Sequence, residues 1–131
     1  MSGRKNYYKK MKPKIFITGS SGFIGFHVAK KLLDLGLKVH GYDSMNSYYD
    51  VNLKRARLSI LKKYKNFSFT KGLLENEKKV RNINVRFKPN IIIHLGAQAG
   101  VRHSINNPNI YIKSNIIGTY NILKIASKMK I

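Results

Sequence analysis

Residues 14–25 read KIFITGSSGFIG, a short apolar run that passes directly into three glycines spaced three residues apart. The run Lys14–Thr18 has the length and composition of a buried strand. Residues 23–35 then place apolar side chains at helical spacing, and Gly36 is a natural end for that helix. A strand that passes through a glycine loop into a helix is typical of a dinucleotide-binding unit.

The alternation of strands and helices continues along the chain. Further strands are predicted over residues 37–42, 67–70 and 90–95, and further helices over residues 48–63, 75–85 and 107–128. This order indicates βαβ units with right-handed crossovers and a parallel sheet. We therefore predict an α/β fold with a Rossmann-type doubly wound parallel sheet, truncated after about four strands. Residues 1–13 are expected to form a basic, flexible lead-in.

The glycine loop carries the clearest chemical signal. Glycine permits a tight turn and lets the backbone approach a pyrophosphate, while the last glycine lets the helix pack closely on the strand. The helix N-terminus then offers N–H donors and a partial positive charge to the phosphates. Glycine spacing alone is weak evidence, but here the predicted strand and helix supply the structural context that the motif requires.

Asp43 ends the second predicted strand, 18 residues after Gly25. An acid at this position accepts hydrogen bonds from the adenine ribose and repels a 2′-phosphate, so the sequence favours NAD over NADP. The alternative is that Asp43 caps a turn, because Ser44 and Asn46 follow it. Residues 14–131 are therefore predicted to form an incomplete NAD-binding Rossmann domain.

Composition excludes several classes of protein. The apolar fraction of 43% is too high for a disordered chain, and no apolar run is long enough to span a membrane. The chain has no cysteine, which rules out disulfides and cysteine metal sites, and His27, His40 and His103 show no ligand spacing. We expect no metal and a cytoplasmic location.

The charge balance is unusual, with 26 Lys+Arg, five acidic residues and a net charge of +21. A charge of this size attracts polyanions, so a basic nucleic-acid-binding domain is one alternative. The lysines are spread along the whole chain, which favours a solvated basic surface. We therefore expect no specific nucleic-acid partner.

Several stretches resemble extended short-chain dehydrogenase/reductases of the NAD-dependent epimerase/dehydratase family. Residues 15–25 (IFITGSSGFIG) are similar to the opening of that family. Residues 41–54 (GYDSMNSYYDVNLK) are similar to its UDP-glucuronate 4-epimerase branch. So are residues 94–104 (HLGAQAGVRHS), with an Asn-Pro pair at 107–108 and SNIIGT at 114–119. The resemblance runs from about residue 14 to the last residue.

The resemblance implies a role for each matching residue. The pyrophosphate would be held by Gly19, Ser21, Gly22, Phe23, Ile24 and Gly25. The adenine ribose would be held by Asp43, with Asn46 nearby. The cofactor would be lined near its nicotinamide side by Leu95, Gly96, Ala97 and Gln98, and the adjoining loop would be steadied by Asn115. The sugar nucleotide would face Arg102 and Ser104.

Some of these roles have local alternatives, and two residues depart from the family pattern. Gln98 and Ser104 could instead satisfy loop backbone, and Arg102 could be one surface cation among many. Leu73 stands where the family carries an acid that contacts adenine, so we expect Leu73 to pack on the ring without that hydrogen bond. Gly96 replaces a common alanine, which is a smaller change.

The resemblance places the catalytic Ser/Thr and the Tyr-x-x-x-Lys pair beyond Ile131, so no catalytic residue is assigned in this chain. Tyr120 and Lys124 match that pair by letter, but they precede the expected fifth strand, and such helical pairs are common by chance. We expect the N-terminal, inactive part of an NAD-dependent UDP-glucuronate 4-epimerase, which when full-length binds a UDP-sugar and forms a homodimer. The alternatives are a related dehydratase or decarboxylase and a non-catalytic NAD-binding module.

Overall fold

A computed structural model describes residues 12–131 and shows strands that alternate with helices. The strands are β1 (Lys14–Thr18), β2 (Lys38–Asp43), β3 (Phe67–Lys71) and β4 (Ile91–His94). They are connected in turn by α1 (Phe23–Asp34), α2 (Val51–Leu61) and α3 (Glu77–Phe87). After β4 come α4 (Val101–Asn106), α5 (Pro108–Tyr111), a π-helical segment (Ile112–Ile117) and α6 (Gly118–Met129).

The four strands form one parallel sheet in the order β3-β2-β1-β4, which confirms the predicted fold class. The central strand β1 pairs Thr18 with Tyr42 of β2 on one side and with His94 of β4 on the other. The chain therefore runs outward from β1 to β3 and then crosses back to β4. In doubly wound sheets such a reversal leaves a crevice at the carboxyl ends of the strands.

Two apolar clusters cover the two faces of the sheet. Alternate residues of a strand point to opposite faces, so Ile15 and Ile17 of β1 belong to one cluster and Phe16 to the other. Residues of α1 and α2 complete the first cluster, and residues of α3 and α6 complete the second. Both faces are therefore covered by helices, as a parallel sheet requires.

The helix predicted over residues 107–128 is present from Pro108 to Met129, but it is not α-helical throughout. Pro108 begins α5, where its missing N–H costs nothing, and the backbone then widens into the π-helical segment before α6. Such π segments are frequent at functional sites. The short helix α4 was not predicted at all.

One predicted helix starts later in the structure than expected, and one predicted segment lies almost entirely outside the described residues. The helix predicted from residue 48 begins only at Val51, because the Asp50 carboxylate accepts a hydrogen bond from the Asn52 N–H at 2.8 Å and caps α2 there. The flexible lead-in predicted over residues 1–13 lies almost entirely outside the described residues. Among the helices of residues 12–131, none is long and apolar enough to cross a membrane.

His40 on β2 is a buried histidine that is held by hydroxyl groups of β3. Its Nδ1 lies 2.7 Å from Ser68 Oγ, and its Nε2 lies 3.0 Å from Thr70 Oγ1. Its ring stacks on Phe16 with the centroids 5.8 Å apart. Burial, helped by the positive charge of Arg86, lowers the pKa of His40 from 6.5 to about 4. The imidazole is therefore neutral in the folded chain at neutral pH.

We expect acid to destabilise the fold through His40. Because its folded pKa lies below its unfolded pKa, the unfolded chain binds the extra proton, and stability present above about pH 6.5 is lost as the pH falls to about 4. By about pH 5, roughly 1.5 units below the unfolded pKa, the loss is about 2 kcal/mol. Urea unfolding of the parent and of His40→Gln at about pH 7 and about pH 5 measures it. The parent should lose more stability than the variant, and equal losses would contradict the assignment.

Candidate functional site

A cleft of about 1110 Å³ opens at the carboxyl ends of the strands. Its walls come from the glycine loop after β1 and from the segments that follow β2, β3 and β4. The predicted cofactor residues that line it are Gly19, Gly22, Phe23, Ile24, Gly25, Asp43, Asn46, Leu73, Leu95, Gly96, Ala97 and Gln98. The predicted residues that do not line it are Ser21, Arg102, Ser104 and Asn115. The cleft thus lies at the switch point of the sheet, where doubly wound folds bind ligands.

The three glycines of the loop have different tasks. Gly19 has a φ of +72°, and a Cβ added there would lie 2.8 Å from the Gly96 nitrogen. A Cβ at Gly25 would lie 2.0 Å from the Gly19 carbonyl oxygen. At Gly22 the φ is −73°, and the nearest atom to an added Cβ is the Gly19 oxygen, at 3.2 Å. The outer glycines therefore permit close backbone packing, whereas Gly22 lies at the surface of the cleft.

Helix α1 begins at the cleft without a side-chain cap from any of the described residues. The first N–H groups of a helix have no partner within the helix. Phe23 and Ile24 of this first turn are 67% and 63% exposed. Just before it, the Ser20 and Ser21 hydroxyls are buried without a hydrogen-bond partner in residues 12–131. An anion would satisfy the free N–H groups and meet the positive end of the helix dipole, so this loop fits a phosphate-bearing ligand.

Asp43 ties the glycine loop to the segment after β2. Its side chain is buried, and it accepts hydrogen bonds from the Ser21 N–H at 3.0 Å and from the Met45 N–H at 2.8 Å. The turn-capping role that the sequence left open is therefore present. A carboxylate can accept about four hydrogen bonds, so capacity remains for a ribose hydroxyl. The ribose contact itself stays a prediction.

A hydrogen-bond network joins the two sides of the cleft. The Asn46 side-chain amide donates to Gln98 Oε1 at 3.3 Å. Asn115 holds the backbone of Gln98 twice, because its Oδ1 accepts from the Gln98 N–H at 2.7 Å and its Nδ2 donates to the Gln98 carbonyl at 3.0 Å. Asn115 belongs to the π-helical segment, and it fixes the loop after β4 from behind. This geometry agrees with the steadying role expected of Asn115, and its effect on a cofactor stays a prediction.

The sequence analysis missed two cations of α2 that line the cleft, Lys54 and Arg57. Lys54 Nζ lies 3.0 Å from Asn46 Oδ1 and 4.0 Å from Asp43 Oδ1. Arg57 Nη1 donates to the Ser21 carbonyl at 3.2 Å. The available signal was spacing, because Lys54 stands seven residues before Leu61, the other buried residue of α2. In a chain with 26 cations that signal was not distinctive.

Aromatic side chains meet at the mouth of the cleft. The Tyr48 and His103 rings lie with their centroids 4.7 Å apart. The Tyr48 ring passes so close to Gly100 that a Cβ there would lie 2.0 Å from the phenolic oxygen. The Tyr111 hydroxyl donates to the Ala99 carbonyl at 2.8 Å. These contacts bring the segments after β2 and β4 together, and none of them was predicted.

His94, at the end of β4, connects β1 to α6 through hydrogen bonds of its two ring nitrogens. Its Nδ1 lies 2.6 Å from Thr18 Oγ1, and its Nε2 lies 2.9 Å from Thr119 Oγ1. Thr18 Oγ1 also accepts hydrogen bonds from the N–H groups of Leu95 and Gly96, at 3.0 and 2.9 Å. Burial lowers the pKa of His94, so the ring stays neutral. His94 therefore positions the loop after β4, and both of its nitrogens are engaged.

Leu73, the residue that departs from the family pattern, is 53% exposed at the cleft. Its carbonyl accepts a hydrogen bond from the Tyr42 hydroxyl at 2.7 Å. Burial, with a smaller contribution from Glu75, raises the pKa of Tyr42 to about 12, so this hydroxyl remains a donor. The apolar Leu73 side chain is thus free to pack on a planar ring.

The two predicted substrate residues and the Tyr/Lys pair lie away from the cleft lining. Arg102 is exposed on α4, and the Ser104 hydroxyl donates to the Val101 carbonyl of the same helix, which is the local alternative noted above. Their substrate roles stay predictions. Lys124 Nζ lies 2.8 Å from Glu77 Oε1 and 5.4 Å from the centroid of the Tyr120 ring. Neither Tyr120 nor Lys124 lines the cleft.

Comparison with known proteins gives consistent matches. A family model described as GDP-mannose 4,6 dehydratase matches residues 16–131. Protein CapI of Staphylococcus aureus is 49% identical over 118 residues, which cover 90% of this chain and 35% of that protein. UDP-glucuronate 4-epimerase of Thermodesulfobacterium geofontis is 44% identical over 109 residues, which cover 83% of this chain and 34% of that protein.

A solved structure gives the same picture. UDP-glucuronic acid 4-epimerase from Bacillus cereus, in complex with UDP-glucuronic acid and NAD, matches with a TM-score of 0.78 and 28% identity. The match covers 86% of this chain and 36% of that one. The chain therefore spans about a third of the length of the relatives it matches.

Proposed function

Since this chain belongs to the GDP-mannose 4,6 dehydratase family, we propose that it is the NAD-binding part of a sugar-nucleotide epimerase. One observation carries the proposal: the uncapped N-terminus of α1 opens on a cleft whose other wall holds the buried carboxylate of Asp43. Free N–H donors for a pyrophosphate and an acceptor for a ribose are the two fixed requirements of an NAD site in this fold.

Each wall of the cleft has a role in this proposal. The glycine loop and the first turn of α1 hold the pyrophosphate, and Asp43 with Asn46 holds the adenine ribose. Leu73 packs against the adenine. The loop of residues 95–98, fixed from behind by His94 and Asn115, lines the nicotinamide side. NAD, when bound, supplies the hydride chemistry, and the residues of this chain bind and orient it.

The finer proposal is epimerisation at C4 of a UDP-hexuronic acid. In this reaction the C4 hydrogen would pass to NAD as a hydride while a general base takes the proton of the C4 hydroxyl. After the 4-keto sugar turns in the site, the hydride would return to the opposite face of C4 and the proton to the oxygen. Two observations support this substrate: the name of the Thermodesulfobacterium geofontis relative, and the UDP-glucuronic acid in the Bacillus cereus structure. The matching family is described as a dehydratase, which favours a second candidate, a sugar-nucleotide dehydratase. Both reactions begin with the same oxidation at C4.

The first test is cofactor choice. We expect the chain to bind NAD more tightly than NADP, because the Asp43 carboxylate accepts from a ribose hydroxyl and repels a 2′-phosphate. Asp43→Ala should weaken NAD binding by about tenfold or more and reduce the preference for NAD over NADP. Calorimetric titration with both cofactors measures this, with Asp34→Ala as a control for an exposed carboxylate outside the cleft. Tighter binding of NADP by the parent chain would refute the assignment.

We also expect the 131-residue chain to show no epimerase activity, even with NAD present. The Tyr120/Lys124 pair lies outside the cleft, so it cannot act as the base for the C4 hydroxyl. General acid–base catalysis is typically worth about 10²–10⁴ in rate. The assay incubates the purified chain with UDP-glucuronate and NAD. Formation of UDP-galacturonate above a no-protein control, abolished by Tyr120→Phe, would show that this pair is catalytic after all.

A further inference from the structure

Lys54 is a buried cation at the ribose end of the cleft. Its side chain is only 11% exposed, and that of Asp43 is 6% exposed. The ammonium donates to Asn46 Oδ1 at 3.0 Å and lies 4.0 Å from Asp43 Oδ1. Lys54 therefore belongs to the wall that the proposed function assigns to the adenine ribose.

Lys54 lies on the inward face of α2, where burial of its positive charge is unfavourable unless other groups stabilise it. Lys54 and Leu61 are the two buried residues of this helix, so position 54 lies on the inward face, which normally carries apolar side chains. Burial of an ammonium group is unfavourable unless it is paired and hydrogen-bonded. Asn46 and Asp43 supply those partners. A neutral, apolar residue would fill the same space without that requirement.

We propose that Lys54 is a specificity-determining residue, which sets how strongly Asp43 discriminates against a 2′-phosphate on the adenosine ribose. The inference rests on the proposed function, because it assumes that the ribose lies against Asp43. The ammonium partly offsets the negative potential of the carboxylate and attracts a phosphate directly. Both effects favour a 2′-phosphate and matter less for an unmodified ribose.

The size of the effect follows from Coulomb's law. Two unit charges about 4 Å apart near a protein surface interact strongly enough to change a binding constant by about tenfold or more. Arg57 lies one helical turn further along the same wall, where it contacts the Ser21 carbonyl, and it adds to the positive potential. Asp43 is therefore opposed by the Lys54 ammonium beside it, and its exclusion of a 2′-phosphate is incomplete.

The test compares NAD and NADP affinities of the full chain and of Lys54→Met, which keeps the apolar stem but removes the charge. We expect NADP binding to weaken more than NAD binding, so that the NAD-to-NADP affinity ratio rises by roughly three- to tenfold. Lys54→Arg keeps the charge and should keep the ratio within about twofold of the parent. Arg55→Met is the matched control, because Arg55 is the next residue of α2, is exposed and lies outside the cleft lining. It removes the same charge and should leave the ratio unchanged.

If NADP binding to the parent is too weak to detect, a second pair of variants shows how Lys54 affects NADP affinity. Asp43→Asn removes the repulsion and keeps one acceptor, and it should raise NADP binding by about tenfold or more. Adding Lys54→Met to Asp43→Asn should remove most of that gain. A structural role for Lys54 would instead weaken NAD and NADP by the same factor.

The outcomes separate the inference from the proposed function. If the parent binds NAD but the ratio is unchanged in Lys54→Met, or the double variant keeps the full NADP gain, Lys54 does not set specificity and the inference is overturned. If the folded parent binds neither cofactor, the proposed function itself fails. Circular dichroism and thermal unfolding of each variant confirm that the affinities are compared between folded proteins.

Discussion

Gly25→Ala is expected to destabilise the folded chain by about 3 kcal/mol or more, because a Cβ at this position has no space. It would lie 2.0 Å from the Gly19 carbonyl oxygen and 2.8 Å from the Gly19 carbonyl carbon, both of which are backbone atoms. The turn after β1 and the start of α1 would have to move apart. Typical domains are stable by only 5–15 kcal/mol, so a loss of about this size is readily measured by urea unfolding.

The control for this prediction is Gly36→Ala at the other end of α1. Gly36 has a φ of +80°, and an added Cβ would meet nothing within 4 Å, so only the cost of the left-handed conformation applies, about 1 kcal/mol. Without a clash, alanine inside a helix stabilises by up to about 1 kcal/mol relative to glycine. A Gly25→Ala variant as stable as the parent would therefore show that β1 and α1 do not approach each other in this way.

Gly22→Val is expected to weaken NAD binding by roughly a hundredfold or more while the chain stays folded. Gly22 lines the cleft at the N-terminus of α1, where an added Cβ would lie 3.2 Å from the Gly19 carbonyl oxygen, so that oxygen must shift by only a few tenths of an ångström. The valine side chain would occupy the place of the pyrophosphate and block its hydrogen bonds to the helix N–H groups. Calorimetric titration with NAD, supported by urea unfolding of the same variant, separates binding from stability.

Gly36→Ala serves again as the control for Gly22→Val, because it changes a glycine on the same helix away from the cleft. It should bind NAD as the parent does. Gly22→Val and Gly25→Ala are thus opposite cases within one loop, since the first should lose NAD affinity and the second should lose stability. If Gly22→Val binds NAD as tightly as the parent, the glycine loop is not the pyrophosphate site.

The central βαβ unit could be predicted from sequence because its signals are local. The apolar run Lys14–Thr18, the glycine loop and the helical spacing after it each predict one element, and the structure places those elements within a residue of the prediction. The position of Asp43 at the cleft could be predicted for the same reason, since Asp43 stands at the end of a recognisable strand. In each case the decisive contacts lie within one unit of the chain.

The residues that were missed depend on contacts between distant segments. Lys54 matters because α2 carries it against the end of β2, and nothing in the residues beside it distinguishes it from the many solvated lysines. Tyr48 matters because it meets His103, 55 residues along the chain. The π-helical segment joins α5 to α6, and the sequence pattern predicted a helix there without indicating its type. Such features become visible only when the sheet has brought the segments together.

The most direct test of the NAD site is a titration of the isotope-labelled chain with NAD, followed by the backbone amide signals in two-dimensional NMR spectra. We predict saturable shifts confined to the cleft, largest at Gly22, Phe23, Ile24 and Asp43 and extending to the loop of residues 95–98. Moderate salt should leave their positions unchanged, because the amides of α1 and the Asp43 carboxylate are fixed by the fold. Shifts spread over lysines outside the cleft and removed by salt would show that the charge of +21 merely attracts an anion. That result, or no shifts in a folded chain, would contradict the assignment of this cleft to NAD.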